Sequence, residues 1–235
     1  MKVPFKFFLE KRKATLGDVD EIFALDKEVW QDFPATREMI ESRIKNFRDG
    51  NIVGLVKGKI IGYLSVQLIN YDLSNPKIMT WNEITNNGTT NGTHIPTGKI
   101  IFGIADTVSP RFRDFGIGIS MVLSGWRIGV EYNVTGCLLG SRIPLFHQYS
   151  SKHTVEEYVN LRRDDGKFLD PGLRLYESDG FKPIKVVPNY INDPESENYG
   201  VLVYQANPFY NKGFPALRNP IARMIDRWGH KFLGV

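Results

Sequence analysis

The hydrophobic pattern at the start of the chain predicts one strand followed by two helices. Residues 5–14 alternate loosely between apolar and polar side chains, as a half-buried strand does. Thr15-Leu16-Gly17-Asp18 is typical of a helix N-terminus, and apolar residues then recur at helical spacing through Trp30. Thr36 is expected to cap a second helix, which ends by Gly50.

Strand patterns dominate the middle of the chain. Residues 51–56 and 59–70 flank the turn Lys57-Gly58, which predicts an antiparallel hairpin. Residues 72–98 are rich in Asn, Thr, Gly and Pro, so we expect a mobile surface loop that could border a substrate site. The later pattern predicts strand 99–108, helix 117–131, strand 136–141, a polar insert at 144–170 with a helix around 154–163, helix 173–178, and strands 181–187 and 201–205.

The formal charge of +4 lies in the C-terminal segment, residues 209–235. This segment holds five Lys or Arg residues against Asp226 alone, so residues 1–208 are electrically balanced and no nucleic-acid partner is expected. Asn219-Pro220 predicts the start of a helix whose apolar face is formed by Ile221, Ile225, Trp228 and Phe232. We expect this basic extension to pack on the domain or on a homodimer partner; contact with a membrane surface or an acidic partner is the alternative.

Composition excludes several other classes of protein. Hydrophobic residues make up 42% of the 235 residues and charged residues 24%, and no apolar run reaches the roughly 18 residues of a membrane helix. Lys6 and Glu10 interrupt any signal-peptide core, so a cytoplasmic location is expected. Cys137, the single cysteine, lies in an apolar run and is interpreted as an inert core thiol. The four histidines and this cysteine show no ligand spacing, and no metal is expected.

A candidate anion site follows the strand that ends at Val108. Gly116 and Gly118 precede a helix, so backbone amides at the helix N-terminus could face an anion without obstruction by side chains. Arg111 and Arg113 could add charge-assisted hydrogen bonds, and a pyrophosphate is the expected ligand. The spacing alone leaves open a structural turn with solvated arginines.

The run Val108-Ser109-Pro110-Arg111-Phe112-Arg113-Asp114-Phe115-Gly116-Ile117-Gly118 resembles the Arg/Gln-x-x-Gly-x-Gly/Ala loop of the GNAT superfamily, and Leu173–Phe181 resembles a second family segment. The order of elements across residues 5–205 is also similar. The resemblance implies an α/β (α+β) fold with a central, mixed, mostly antiparallel sheet of about six to seven strands in residues 1–208. It implies an acetyl-CoA site formed by Val108, Arg111, Arg113, Asp114, Phe115, Gly116, Ile117 and Gly118.

The resemblance further implies direct acetyl transfer from acetyl-CoA to an amine, which requires a base and an acid. Tyr176 occupies the tyrosine position of the family's Leu-Tyr-x-x-x-Gly-Phe segment and is the acid candidate for the departing thiolate. Asp106, near the end of its strand, is the base candidate. Packing for Tyr176 and a structural hydrogen-bonded role for Asp106 remain alternatives.

Acceptor contacts are expected where the strand 136–141 leaves the sheet. Arg142 could orient a carboxylate or phosphate, although a structural ion pair is equally consistent with the sequence. His147 and His153 could accept a proton, or remain surface histidines. The expected acceptor is a small amine or amino-acid-like metabolite, followed by a peptide N-terminus or lysine side chain; a catalytically silent CoA-binding regulatory module is the rival interpretation.

Overall fold

A computed structural model describes residues 8–31, 33–212 and 215–228, and seven of its strands form one sheet in the order β1-β2-β3-β4-β5-β7-β6. The strands are β1 (Glu10–Lys13), β2 (Asn51–Val56), β3 (Lys59–Ile69), β4 (Ile100–Val108), β5 (Gly136–Arg142), β6 (Lys182–Val187) and β7 (Gly200–Ala206). All neighbouring pairs are antiparallel except β4 and β5. The predicted fold class, a mixed and mostly antiparallel sheet, is confirmed.

Helices cover both faces of this sheet. They are α1 (Val19–Val29), α2 (Arg37–Asn46), α3 (Trp81–Thr85), α4 (Ile117–Glu131), α5 (Val155–Tyr158), α6 (Pro171–Ser178) and α7 (Pro215–Trp228). Among the described residues, none of the helices combines the length and the hydropathy that crossing a membrane requires.

The core lies in two layers, one on each side of β2 and β3. Ile22 of α1 and Ile40 of α2 pack with Tyr63 on one face, while Met121 of α4 packs with Leu64 on the other. Because β2 and β3 are covered on both faces, they are apolar almost throughout instead of alternating with polar residues. We refer to these two faces as the α1 face and the α4 face.

The sheet opens between β4 and β5. These parallel strands pair only where Ile100–Phe102 meets Gly136–Leu138. Beyond that point β4 stays paired with β3 up to Val108, and β5 stays paired with β7 up to Arg142. The two strands therefore diverge, and we call the opening between residues 103–108 and 139–142 the β4–β5 gap.

Local signals placed the early elements correctly. The hairpin turn has Lys57 at φ 51° and Gly58 at φ 77°, both in the left-handed region. Thr36 caps α2, because its hydroxyl accepts from the Met39 amide at 3.2 Å. Residues 5–7 of the predicted first strand lie outside the described residues.

The segment 72–98 is folded, which corrects the prediction of a mobile loop. It contains α3, and Ile84 and Thr90 are 2% exposed. The Arg43 Nε of α2 donates to the Gly88 carbonyl at 2.7 Å. Composition predicted turns here but not the long-range hydrogen bonds that fix them.

Two predicted helices have different limits. In the insert 144–170 the helix extends only over Val155–Tyr158, since the chain then turns into a bridge between Arg162 and Phe168. In the extension, α7 begins at Pro215, so Pro220 lies inside the helix instead of at its first turn. This helix packs against α4, and Ala222 is fully buried. Of the predicted apolar face, the side chains of Ile225, Trp228 and Phe232 lie outside the described part of the chain.

Candidate active site

The segment from β4 to α4 has the backbone geometry of an anion site. A 3-10 turn over Pro110–Phe115 ends at Gly116, whose φ of 73° strains any residue with a side chain. The first hydrogen bond of the helix runs from the Ser120 amide to the Gly116 carbonyl at 3.1 Å. The amides of residues 117–119 precede it, so helix geometry leaves them without an intrahelical acceptor.

The side chains of this loop leave its outer surface open. A Cβ at Gly118 would meet no described atom within 4 Å. Arg111 and Arg113 are exposed, as is Phe115, whereas Val108 and Phe112 pack against the core cluster of the α4 face. Ile117 is buried, so it offers only its backbone. Glycine access, amides without an intrahelical acceptor and two nearby cations suit a phosphate group; the side chain of Asp114 lies outside the described residues.

Asp106 lies on β4 in the β4–β5 gap. It pairs with Leu64, whose side chain belongs to the α4 face. The Asp106 side chain is exposed to solvent. Partial desolvation by the protein around it, followed by the charge of Asp179, nevertheless raises its pKa to about 7. Both observations fit a carboxylate in a water-filled cleft, and a group titrating near neutral pH can accept a proton there.

Tyr176 approaches the same gap from α6. Its ring packs edge-on against Phe181, with centroids 5.7 Å apart. Burial, followed by the charges of Asp106, Cys137 and Asp179, raises its pKa to about 12, so the phenol stays protonated at neutral pH. The structure thus brings together the predicted acid and base, which lie 70 residues apart in the sequence.

A buried hydrogen-bond chain fixes β4 beside Asp106. The Trp30 Nε1 donates to the Thr107 hydroxyl at 2.9 Å, and this hydroxyl donates to Asp26 of α1 at 2.8 Å. The other Asp26 oxygen accepts from the Ala35 amide at 2.6 Å. The α1–α2 connection is therefore tied to the strand that carries Asp106.

Asp179 is a residue of the site that the sequence did not indicate. It follows α6 directly, and its carbonyl accepts from the Gln205 Nε2 of β7 at 2.6 Å. Its carboxylate contributes to the raised pKa of Asp106. Its place within the recognised segment Leu173–Phe181 was the available signal, but the fold is needed to bring it near β4.

The side chains of Arg142 and His147 contact residues of the turn that follows β6. Two nitrogens of Arg142 contact Asp193, and one of them also contacts Glu195 at 3.0 Å. The His147 Nδ1 lies 2.9 Å from the Glu195 carbonyl oxygen. Of the two roles that the sequence allowed for Arg142, the geometry favours the structural ion pair.

Cys137 lies on β5 where the α4-side core meets the cluster around α6. It is half-buried, and burial raises the pKa of its thiol to about 12. The thiol is therefore protonated at neutral pH, which favours a packing role over a nucleophilic one.

Two curated proteins resemble the chain over most of its length, whereas no family model matches it. The uncharacterised N-acetyltransferase YkwB of Bacillus subtilis (strain 168) is 32% identical over 206 residues, covering 86% of this chain and 90% of that protein. The probable hydrolase YhcX of the same organism is 30% identical over 209 residues, covering 84% of this chain; the chain spans only 40% of that protein.

Solved structures share the fold. The loading GNATL domain of CurA from Lyngbya majuscula superposes with a TM-score of 0.74 at 22% identity, over 85% of this chain and 98% of that one. The GphF GNAT-like decarboxylase in complex with isobutyryl-CoA gives 0.69 at 24% identity, over 84% and 99%. The splayed sheet and the loop before α4 define a GNAT-type acyltransferase fold. Given the extent of the likeness to YkwB, the chain belongs to the GNAT superfamily.

Proposed function

We propose that the protein is an acetyl-CoA-dependent N-acyltransferase in which an amine attacks the thioester directly. The observation that carries this proposal is that Tyr176 packs with Leu139 of β5 on one side of the β4–β5 gap, close enough to Asp106 of β4 for the charge of Asp106 to raise its pKa. Proton acceptor, proton donor and phosphate site are thereby supplied by adjacent elements.

The anion-site loop suits the pyrophosphate of CoA. The amides of residues 117–119 and the exposed Arg111 and Arg113 offer donors and positive charge, and Gly118 leaves room for close approach. The likeness to a decarboxylase solved with isobutyryl-CoA supports an acyl-CoA co-substrate. Acetyl is proposed as the acyl group because the related YkwB is described as an N-acetyltransferase.

The two titrating groups then divide the proton transfers. An amine arrives mostly as an ammonium ion, and Asp106, with its pKa near 7, accepts the first proton and passes it to solvent. The nitrogen forms a bond to the carbonyl carbon, and as the C–S bond breaks it loses its second proton to Asp106, which has already passed the first to solvent. Tyr176, protonated at neutral pH, donates a proton to the departing thiolate and regains one from solvent.

The charge of the gap supports a cationic acceptor. Asp106 and Asp179 place two carboxylates near the acyl position, and Arg142 is neutralised by Asp193 and Glu195. This field attracts an ammonium ion and disfavours an acyl group with a free carboxylate. The proposed acceptor is a small amine or an amino-acid-like metabolite.

Calorimetric titration with acetyl-CoA tests the cofactor site. We expect Arg111→Ala/Arg113→Ala to weaken binding at least tenfold, because two charge-assisted contacts are removed. The control Lys59→Ala/Lys152→Ala removes two exposed cations elsewhere and should leave the affinity unchanged. Absence of binding to a folded wild-type protein would overturn the proposal.

Thiol release from acetyl-CoA in the presence of paired amines tests transfer. The panel contains α-amino amides such as phenylalaninamide, and the matching alkylamines such as phenethylamine. Turnover with at least one amine supports the proposed reaction, whereas acetyl-CoA binding without turnover of any amine favours the silent regulatory module.

A further inference from the structure

Tyr190 is a buried phenol held in a cleft made by two glycines. It lies between β6 and β7 and is 4% exposed. Its Cβ and ring base lie against Gly200 of β7, and its hydroxyl occupies the position that a Cβ at Gly140 of β5 would take. Only glycine at both positions leaves room for the ring.

The ring points toward the β4–β5 gap. The sheet order is β4-β5-β7, so a ring that starts over Gly200 on β7 and ends over Gly140 on β5 continues toward β4. At the level of Gly140, β5 is no longer paired with β4, because their ladder ends at Phe102 and Leu138. The Tyr190 hydroxyl thus reaches the edge of the open part of the sheet.

The backbone of Tyr190 is held by hydrogen bonds, whereas its hydroxyl is available to a ligand. The Tyr190 amide donates to the Asn198 carbonyl at 2.8 Å, and its carbonyl accepts from the Trp81 amide at 3.0 Å. Among the side-chain hydrogen bonds of the described residues none involves this hydroxyl, and its oxygen is not one of the fully buried polar atoms that lack a partner, so a ligand or water can reach it. A phenol hydroxyl that can be reached on an otherwise buried ring can donate a hydrogen bond to a bound substrate.

Tyr190 and Tyr176 approach the gap from opposite faces. Tyr190 packs with Ile84 and Phe102 in the cluster on the α1 face, whereas Tyr176 packs with the residues around α6 and faces Asp106. The anion-site loop leads into α4, so the CoA chain belongs on the α4 face. The Tyr190 hydroxyl, which lies on the α1 face, would therefore contact the amine acceptor and not CoA.

We propose that Tyr190 is a specificity-determining residue for the acceptor, donating a hydrogen bond to an oxygen of an amine substrate that enters the gap from the α1 face. This inference rests on the proposed N-acyltransferase function. Burial, with a smaller contribution from the charge of Tyr176, raises the pKa of the Tyr190 phenol, so it acts as a neutral donor and not as a base. It selects amines with a carbonyl or carboxylate oxygen close to the attacking nitrogen.

The test compares the two members of each amine pair in wild type and Tyr190→Phe. Phenylalanine keeps the ring between the two glycines and removes only the hydroxyl, so folding is preserved. We expect the KM for phenylalaninamide to rise about 5- to 10-fold, the effect of one neutral hydrogen bond. The KM for phenethylamine and the Kd for acetyl-CoA should stay unchanged. Tyr204→Phe, which removes a hydroxyl bonded to the Thr135 carbonyl, is the control and should affect none of these.

The outcomes separate this inference from the proposed function. Equal changes for both amines, or no change for either, overturn the role of Tyr190 and leave the transferase intact. A changed Kd for acetyl-CoA also overturns it, because the hydroxyl would then contact the acyl donor. If the wild-type protein acetylates no amine, the proposed function fails, and the inference with it.

Discussion

Arg142 and Asp193 form a two-point ion pair: Nε and Nη2 of the guanidinium each lie 2.6 Å from a different carboxylate oxygen. The Asp193 side chain is 3% exposed, while that of Arg142 is 44% exposed. Burial raises the pKa of Asp193, but hydrogen bonds from Arg142 and Ser196 outweigh it and leave the pKa below its usual value. The pair fastens the end of β5 to the turn that follows β6.

Arg142→Ala should destabilise the protein without abolishing transfer. It leaves a buried carboxylate without its cation, and we expect the free energy of unfolding to fall by about 1–3 kcal/mol in urea titrations at pH 7. Because the folded-state pKa of Asp193 is depressed, this stabilisation is present above the unfolded pKa and should vanish as the pH falls through the folded one. Arg163→Ala, at an exposed contact of 3.8 Å to Asp165, should cost less than about 0.5 kcal/mol. A large rise in acceptor KM with unchanged stability would instead restore a substrate role for Arg142.

Features encoded by neighbouring residues were predictable from the sequence. The Lys57-Gly58 turn and Gly116 before α4 need left-handed backbone conformations that few residue types adopt, and the Thr36 cap needs a side-chain hydroxyl at that position. The mixed, mostly antiparallel sheet followed from the family resemblance, and the loop at Arg111–Gly118 adopts the predicted strand-turn-helix geometry.

Features formed by residues distant in sequence were not predictable. Asp179 affects Asp106 only because α6 packs against β5, the neighbour of β4 in the sheet, and the environment of Tyr190 depends on glycines from two strands. Arg142 illustrates the same limit, since its partner lies 51 residues away. A single sequence gives residue types at these positions but no distances between them.

Tyr176→Phe tests the proton donor. The variant keeps the packing against Phe181 but cannot protonate the thiolate, so we expect kcat to fall about 100-fold with little change in the Kd for acetyl-CoA. Since the pKa of Tyr176 is about 12, the wild-type rate should show no falling limb from this group below about pH 10. Stopped-flow measurement of a single turnover isolates the chemical step. Full activity of Tyr176→Phe in that measurement excludes the acid role.

Asp18 should make a pH-dependent contribution to stability. Arg12 donates to both of its oxygens at 2.7 and 2.8 Å, and the hydrogen bond from Arg12 is the main cause of a pKa lowered to about 2. A depressed carboxylate pKa stabilises the fold above the unfolded value and loses that effect as the pH falls from about 4 toward 2. We expect Asp18→Asn to cost about 2 kcal/mol at pH 7 and little near pH 2, measured by urea unfolding.

The matched control for Asp18 is Asp20→Asn. Asp20 also contacts an arginine, Arg37, at 2.5 Å, but the two side chains are 82% and 58% exposed. Such a pair contributes at most about 0.5 kcal/mol, since solvent screens it. Equal effects of the two substitutions would show that burial of Asp18 does not set its contribution.

Asp106 and Asp179 should control the pH dependence of transfer. A base acts in its deprotonated form, so kcat/KM should rise with pH through about 7, the pKa of Asp106. Asp106→Asn should lower kcat/KM about 100-fold and remove this limb. Asp179→Asn removes a charge that raises the pKa of Asp106, so the rise in kcat/KM should move to lower pH while the plateau rate stays close to wild type.

The pH profile is measured with an acceptor that is largely neutral across pH 5–9, so that titration of the acceptor does not contribute to it. If Asp179→Asn lowers the plateau of kcat/KM and leaves the pH of its rise unchanged, Asp179 does not act through Asp106. If Asp106→Asn keeps the rise of kcat/KM with pH, another group is the base.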